Sequence, residues 1–247
     1  VLLCFYFIWL FTNMGKPSSI IKYRAQGARN GIEVLTVGSV GLVFIMLFNL
    51  LRPGEISLIE IFLVSMCIAA IFIGFLKTQE PYYSLLLSES LLVYQHKYGQ
   101  WQLHVSNLHH SGIPKVADGL EYLELNAVGL KLNDMDEFLS AIHPRIAGKL
   151  LIEQRNLFMQ AVQKHCKNGN CPSEWLIEET QYTSPKGFSY TGLIAMFANR
   201  AKHLELLTGY NLLLPASVLE TDIWSFSADL NKWKRAPERF IASQVGH

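Results

Sequence analysis

Two long apolar runs dominate the N-terminal third of the chain, with a short polar break between them. The first run covers residues 32–51 and carries a single charge, Glu33, at its edge. The second covers residues 56–76, and the break is RPGE at residues 52–55. A helix of about 20 apolar residues crosses the ~30 Å hydrocarbon core of a bilayer, and proline with glycine ends a helix and reverses the chain. The pattern predicts a transmembrane helical hairpin over residues 32–76, in preference to a buried core helix.

One acid, Glu60, lies inside the second apolar run. An acid within a membrane span is by default a candidate for transport or proton transfer. Glu60 is only about one turn from the polar break, so its carboxylate can reach the membrane interface or pair with Arg52. We expect one of these two roles rather than a transport role.

The basic residues around the two runs predict the orientation of the hairpin. Cytoplasmic flanks of membrane spans carry an excess of Lys and Arg. The break holds one basic residue, Arg52, whereas the flanks hold Lys16, Lys22, Arg24, Arg29, Lys77 and Lys97. Both termini, and the whole chain after residue 77, are therefore expected in the cytoplasm.

A separate apolar stretch, VLLCFYFIWLFTN, occupies residues 1–13 and precedes Met14. It is too short to span a bilayer, and it lacks the basic start and small-residue cleavage site of a secretory signal. We expect translation to begin at Met14, which makes residues 1–13 non-native. An interfacial helix or a third span is the alternative, and residues 1–31 form an N-terminal segment in either case.

After residue 77 the long apolar runs give way to short alternating ones. Residues 82–104 hold three runs rich in aromatic and β-branched residues, and further short runs follow to Leu132. Such runs between tight polar turns are typical of antiparallel strands. The pattern predicts five or six strands in a β-rich domain over residues 77–143, with Trp101 on the third strand. Two spans followed by a meander that a helix closes resemble bacterial membrane-anchored pleckstrin-homology-like domains.

The rest of the chain has helical periodicity. Apolar residues recur every three and four positions after Pro144, and a polar stretch at residues 167–187 follows. The next helix is predicted over residues 190–207, ending before Gly209. A last amphipathic segment places four apolar residues in register, namely Ile223, Phe226, Leu230 and Trp233.

These patterns together predict the fold class. It is a membrane α-helical hairpin followed by an α+β cytosolic part, in which a small antiparallel meander precedes a helical C-terminal region. The helical region covers residues 144–236, and a disordered tail is expected over residues 237–247.

Three sequence blocks resemble a known family. They are YTGLIAMFANR at residues 190–200, IHPR at 142–145 with LIEQR at 151–155, and ARNG at 28–31. The chain from about residue 20 to 235 is similar to an uncharacterised family of two-span proteins from gammaproteobacteria. Residues 1–13 and 166–175 depart from that pattern. The resemblance implies a two-span topology in a bacterial inner membrane, and it implies no chemistry.

Composition and charge exclude several classes of protein. Hydrophobic residues make up 50% of the 247 and charged residues 17%, which excludes a disordered or strongly basic chain. Four cysteines exclude a disulfide scaffold. From residue 77 onward there are 16 Lys and Arg against 17 Asp and Glu, a net charge of −1. No broad basic surface is available, so a nucleic-acid partner is not expected.

The sequence contains no motif of a known catalytic, cofactor or metal site. His165, Cys166 and Cys171 have zinc-ligand chemistry, but a single C-x4-C without a second pair does not supply four ligands. Phosphate loops, nucleophile elbows and H-E-x-x-H are not found. No catalytic, cofactor-binding or metal residue is therefore predicted.

The remaining candidates for function are Tyr190, Asn199 and Arg200. We expect them to line a groove between the helical region and the meander, where they receive a peptide or a lipid headgroup. A structural ion pair is the alternative for Arg200. The predicted function is a membrane-anchored, cytosol-facing, non-enzymatic interaction or regulatory module, whose partners are the lipid bilayer and a protein or lipid headgroup. The alternative is a membrane-surface enzyme acting on lipid or envelope precursors.

Overall fold

The computed structural model describes residues 20–24, 30–51, 57–79, 81, 83–118, 121–165, 175, 177 and 179–245. Residues 1–13, the break at 52–55, Cys166 and Cys171 lie outside the described residues. The predictions made for them stay predictions.

Two long apolar helices, α1 (Gly31–Leu51) and α2 (Leu58–Thr78), pack against each other. Gly31 lies against Lys77 and Gly38 against Ile71, so the two helices run antiparallel. Each has 21 residues, and the most apolar windows have mean hydropathies of 2.3 and 2.6 with 6% of each window buried. Both are therefore long and apolar enough to cross a membrane. The two predicted helices are confirmed.

Glycine allows the two helices to approach closely. A Cβ built on Gly74 would lie 2.6 Å from the backbone nitrogen of Leu35, and one built on Gly38 would lie 3.0 Å from the carbonyl oxygen of Cys67. A side chain at Gly74 has no room, so the helix backbones meet there directly.

Glu60 stabilises the start of α2. Its Oε2 accepts a hydrogen bond from the backbone nitrogen of Ser57 at 3.0 Å, and the Ser57 hydroxyl accepts one from Ile59 at 3.3 Å. This reciprocal arrangement is a capping box. Glu60 thus has a structural role at the helix end, and Arg52, its expected partner, lies outside the described residues.

A four-stranded antiparallel sheet connects both ends of the hairpin. Its strands, in spatial order, are β1 (Ile21–Arg24), β2 (Tyr83–Leu87), β3 (Leu91–His96) and β4 (Gly99–His104). Strands β2 to β4 are the three runs predicted from the sequence. Strand β1 comes from the segment before α1 and was not predicted, because its residues IKYR alternate over only four positions.

Strands β5 to β8 follow along the chain and are β5 (Leu108–Gly112), β6 (Lys115–Asp118), β7 (Glu121–Glu124) and β8 (Ala127–Leu132). Strand β6 pairs with β7, whereas β8 is the centre of a separate three-stranded sheet with β5. The expectation of five or six strands in one meander is therefore wrong, since seven strands of the described residues 83–132 lie in three sheets.

Eight α-helices lie in the described residues, and six of them follow β8. They are α3 (Met135–Ala141), α4 (Pro144–Glu153), α5 (Arg155–His165), α6 (Gly192–Thr208), α7 (Ile223–Arg235) and α8 (Pro237–Val245). The helix predicted after Pro144 is divided at Gln154. That side chain is fully buried, and its Nε2 donates to the Leu213 carbonyl at 3.0 Å.

The region predicted as purely helical also contains strands. Strands β9 (Gln181–Thr183) and β10 (Ser189–Thr191) pair with each other, so Tyr190 is in a strand and not at a helix start. Strand β11 (Leu212–Pro215) pairs with β8 across the predicted domain boundary at residue 143. The boundary therefore divides one sheet.

One main hydrophobic core joins the sheets and helices. It brings together large buried side chains from β4, α3, α6 and α7, including Trp101, Phe138, Phe197, Phe226 and Trp233. The disordered tail expected over residues 237–247 is wrong for the described part of it. Helix α8 forms there because Phe240 and Ile241 are buried in the same core.

Candidate functional site

A groove of about 880 Å³ lies where α4, α5 and α6 meet beside the β3–β4 turn. We call it the basic groove. Its described lining combines four cations, Arg145, Lys149, Arg155 and Arg200, with the mostly apolar set Tyr98, Gly148, Leu151, Ile152, Phe158, Met159, Leu193 and Met196. None of these lining residues is acidic, so the groove has a local excess of positive charge.

Small residues bring α6 close to α4 at this place. Ala195, Ala198 and Ala201 on α6 are buried, and Gly148 on α4 faces Leu193, where an added Cβ would lie 3.3 Å from the Leu193 side chain. Close packing of the two helices directs Arg200 toward the break between α4 and α5. The local sequence thus places a long cationic side chain at the base of the groove.

Arg200 is almost completely buried. Its Nη1 donates to the Leu151 carbonyl at 3.4 Å, and its Cζ lies 4.3 Å from the centre of the Phe158 ring. The pKa of Arg200 is lowered to about 10, mainly by burial and secondly by the positive charge of Arg155. The guanidinium therefore remains charged at neutral pH, and an anion beside the two arginines would relieve their mutual repulsion.

The other cations lie nearer the rim. Arg145 and Arg155 are exposed, so their guanidinium groups are accessible. Lys149 is half-buried and pairs with Glu153, one turn further along α4, at 3.5 Å. Because the side chains of this pair are only 26% and 16% exposed, Glu153 already neutralises Lys149 in part, and the arginines are the main anion-binding groups of the groove.

Tyr190 and Asn199 do not join Arg200 in one groove, which corrects the arrangement expected from the sequence. The Tyr190 hydroxyl donates to Asp136 Oδ1 at 3.0 Å. Asn199 Nδ2 donates to the carbonyls of Glu179 and Gln181, each at 3.0 Å. The Asn199 contacts hold the segment that contains β9 against α6, whereas Arg200 contacts Leu151 and Phe158 on α4 and α5.

Asp136, the hydrogen-bond partner of Tyr190, lines a second, polar pocket of about 510 Å³ whose charges are mixed. Lys186 Nζ lies 2.6 Å from Asp134 Oδ2, and its hydrogen bond lowers the pKa of Asp134. Lys131 pairs with Glu205 in the same pocket. Since these described cations and acids pair with each other, the pocket has no excess of either charge.

A third cavity of about 500 Å³, the junction pocket, lies at the C-terminal end of α2. Ile73, Leu76 and Lys77 of α2 form one wall, and the end of β3 with Lys97 forms another. Lys149 lines both this pocket and the basic groove. The basic groove therefore adjoins the end of the hairpin.

Within the described residues there is no group of three or more His, Cys, Asp or Glu side chains that could hold a metal ion. The candidate ligands Cys166 and Cys171 lie outside the described residues.

Sequence reasoning identified Arg200 and missed the three cations that join it. A signal for two of them was present, because the blocks at 142–145, 151–155 and 190–200 each end in an arginine that lines the basic groove. Lys149 had the weaker signal of lying four positions after Arg145 on one helix face.

The fold and site define an α+β protein with an apolar helical hairpin and a basic, partly apolar groove. The chain belongs to the DUF2982 family of proteins of unknown function, which it matches over residues 85–236. The match includes every residue that lines the basic groove, and α1 and α2 lie outside it. No curated protein and no solved structure matches the chain.

Proposed function

We propose that this protein is a membrane-anchored, cytosol-facing interaction module that binds an anionic ligand in the basic groove. The observation that carries the proposal is the lining of that groove, in which four cations surround an apolar floor. Arginine suits phosphate and carboxylate groups because its planar fork donates two parallel hydrogen bonds. An apolar floor strengthens such contacts by excluding water.

The anchor is the hairpin of α1 and α2. Its large apolar side chains are exposed along both helices, for example Val37, Phe44, Phe62 and Phe72. Such a continuous apolar surface is stable in lipid and is a liability in water. The flanking basic residues favour both ends on the cytoplasmic side of a bacterial inner membrane.

This topology is tested with reporter fusions. A periplasm-active reporter fused after residue 247 should give no signal, and one inserted at residues 52–55 should give signal. The reverse result would place the basic groove outside the cytosol and overturn this part of the proposal.

A binding role is favoured over an enzymatic one by the groups in the groove. Its described lining offers guanidinium and ammonium groups, which bind anions well but exchange protons poorly near neutral pH. Arg200 is the one buried titratable residue of that lining, and Asp136 is the one in the polar pocket. Enzyme sites commonly combine two or more such groups in one cleft. A membrane-surface enzyme is therefore the less favoured candidate, and Asp136 with its partner Tyr190 would be its residues.

Ligand binding is tested on the purified full chain in dodecyl maltoside micelles. Dodecyl phosphate is the anionic probe, and dodecyl phosphocholine, with the same chain and a zwitterionic head, is its control. Dodecyl phosphate should raise the melting temperature, since a ligand at 100 times its Kd stabilises the folded state by ~2.7 kcal/mol. Equal effects of the two probes would refute an anion site.

Three variants assign the effect to the groove. Arg155→Gln and Arg200→Lys should each reduce the stabilisation by dodecyl phosphate, because the first removes an accessible charge and the second removes the planar fork. Lys115→Gln is the matched control, since Lys115 is an exposed cation that pairs with Glu124 at 3.1 Å on β6 and β7. A loss of the effect in Lys115→Gln would indicate non-specific charge binding.

A further inference from the structure

We infer that the ligand of the basic groove is an anionic phospholipid taken from the same bilayer that holds the hairpin. This inference rests on the proposed function, and it goes further by naming the chemical class of the ligand and its source. Three features of the groove support it, namely its two-part lining, its position and its rim.

The lining has separate places for a phosphate and for an acyl chain. Arg145, Arg155 and Arg200 supply guanidinium groups from three different helix segments. Phe158 and Met196 supply apolar surface next to them. A volume of about 880 Å³ lies within the range of about 300–1,000 Å³ that is usual for pockets enclosing small ligands. A purely hydrophilic anion would leave the apolar part of this volume unused.

The position of the groove gives a lipid access to it. The junction pocket lies between the groove and the last turn of α2, and Lys149 borders both cavities. Lys77 lies in the last turn of α2, the position at which a membrane span reaches the level of the lipid headgroups. At the turn between β3 and β4, the exposed Tyr98 lines the groove and the exposed Lys97 lines the junction pocket. The groove therefore opens close to the headgroups, without a long path through water.

The rim of the groove exposes apolar side chains beside the cations. Ile152 is 70% exposed, Tyr98 53% and Leu193 42%. Apolar side chains interspersed with Lys and Arg are typical of surfaces that contact an anionic membrane. An acidic peptide would satisfy the cations, but it would not explain why this rim lies at the end of the hairpin. The observations therefore favour a lipid over a peptide.

The test uses the full chain in vesicles of phosphatidylcholine that contain a trace of photoreactive lipid. In one sample the photoreactive lipid is phosphatidylglycerol with a diazirine in its acyl chain, and in the other it is phosphatidylcholine with the same chain. After illumination, mass spectrometry locates the labelled peptides. We expect the phosphatidylglycerol probe to label α4, α5 or α6 around the groove, and the phosphatidylcholine probe to label mainly α1 and α2.

Variants connect the labelling to the arginines. Arg145→Gln and Arg155→Gln change exposed side chains, so both should fold. Each should reduce labelling of the groove by about tenfold, the change expected from one charge-assisted hydrogen bond. Arg200→Lys should do the same, and Lys115→Gln should label like the wild type. Labelling of α1 and α2 should be equal in all samples, which checks that each variant is inserted.

The outcomes separate this inference from the proposed function. Equal labelling of the groove by both probes would overturn the inference, because the headgroup charge would then have no effect. Absence of groove labelling, together with stabilisation by dodecyl phosphate in micelles, would overturn the lipid as ligand and leave the anion site in place. Competition by inorganic phosphate or by an acidic peptide would then show which other source supplies the anion. Failure of both experiments would overturn both proposals.

Discussion

Trp233 provides a direct test of how the C-terminal helices complete the core. Its side chain is 0% exposed, and its Nε1 donates to the Ser88 carbonyl at 2.7 Å in the turn between β2 and β3. Trp233→Phe removes this donor and leaves the space of the indole's second ring unfilled. Losing a donor to a buried carbonyl costs about 1–3 kcal/mol, and losing two or three buried apolar atoms costs about 1–2 kcal/mol.

The expected loss of unfolding free energy for Trp233→Phe is therefore about 3 kcal/mol. In a chain of this size each kcal/mol lowers the melting temperature by about 2–4 °C, so the expected decrease is about 6–12 °C. Thermal unfolding followed by circular dichroism of the full chain in micelles measures it. Trp224→Phe is the matched control, because Trp224 lies on the same helix and is 51% exposed. Equal melting temperatures for the two variants would refute the burial of Trp233 in the main core.

Two further changes test other parts of the fold. Phe240→Ala should lower the unfolding free energy by about 3 kcal/mol because Phe240 is buried in the core, whereas Gln244→Ala, an exposed change on the same helix, should have no measurable effect in the same thermal assay. The pKa of Tyr190 is raised to about 12, mainly by burial and secondly by the hydrogen bond to Asp136. The stability that this shift contributes is therefore present below pH 10 and is lost as the pH rises toward 12. Asp136→Asn should lower the pKa of Tyr190, as measured by NMR of ring-labelled tyrosine, and an unchanged pKa would show that the hydrogen bond does not form.

The elements that could be predicted from the sequence are those whose pattern is long or local. Helices α1 and α2 each have 21 residues, and a continuous apolar run of that length predicts a helix without any tertiary information. The end of α6 was predicted from Gly209, because glycine often follows the last residue of a helix. In the structure Gly209 takes a positive φ of 82°, which glycine adopts without strain. Strands β2 to β4 were predicted because each alternates between two tight turns.

The elements that were missed depend on partners distant in the chain. Strand β1 has only four residues, and it is defined by its pairing with β2, more than 55 residues later, as in Ile21 with Leu87. At the break between α4 and α5, the Gln154 side chain donates to the carbonyl of Leu213, almost 60 residues later in the chain. Helix α8 has only nine residues, too few to be stable alone, and it folds because the core covers Phe240 and Ile241. All three features involve tertiary contacts, which the short local pattern of each segment does not reveal.

The basic groove was hidden by averaging over the charges of the whole chain. After residue 77 the net charge is −1, which gives no sign of an anion site. Yet the fold gathers four cations around one cavity, while acids such as Asp134 and Glu205 pair with other cations in the polar pocket. A nucleic acid needs an extended basic surface, because its affinity depends on neutralising many phosphates. A ligand with a single phosphate needs only a few guanidinium groups within reach, and a nearly neutral protein can supply these without a basic surface elsewhere.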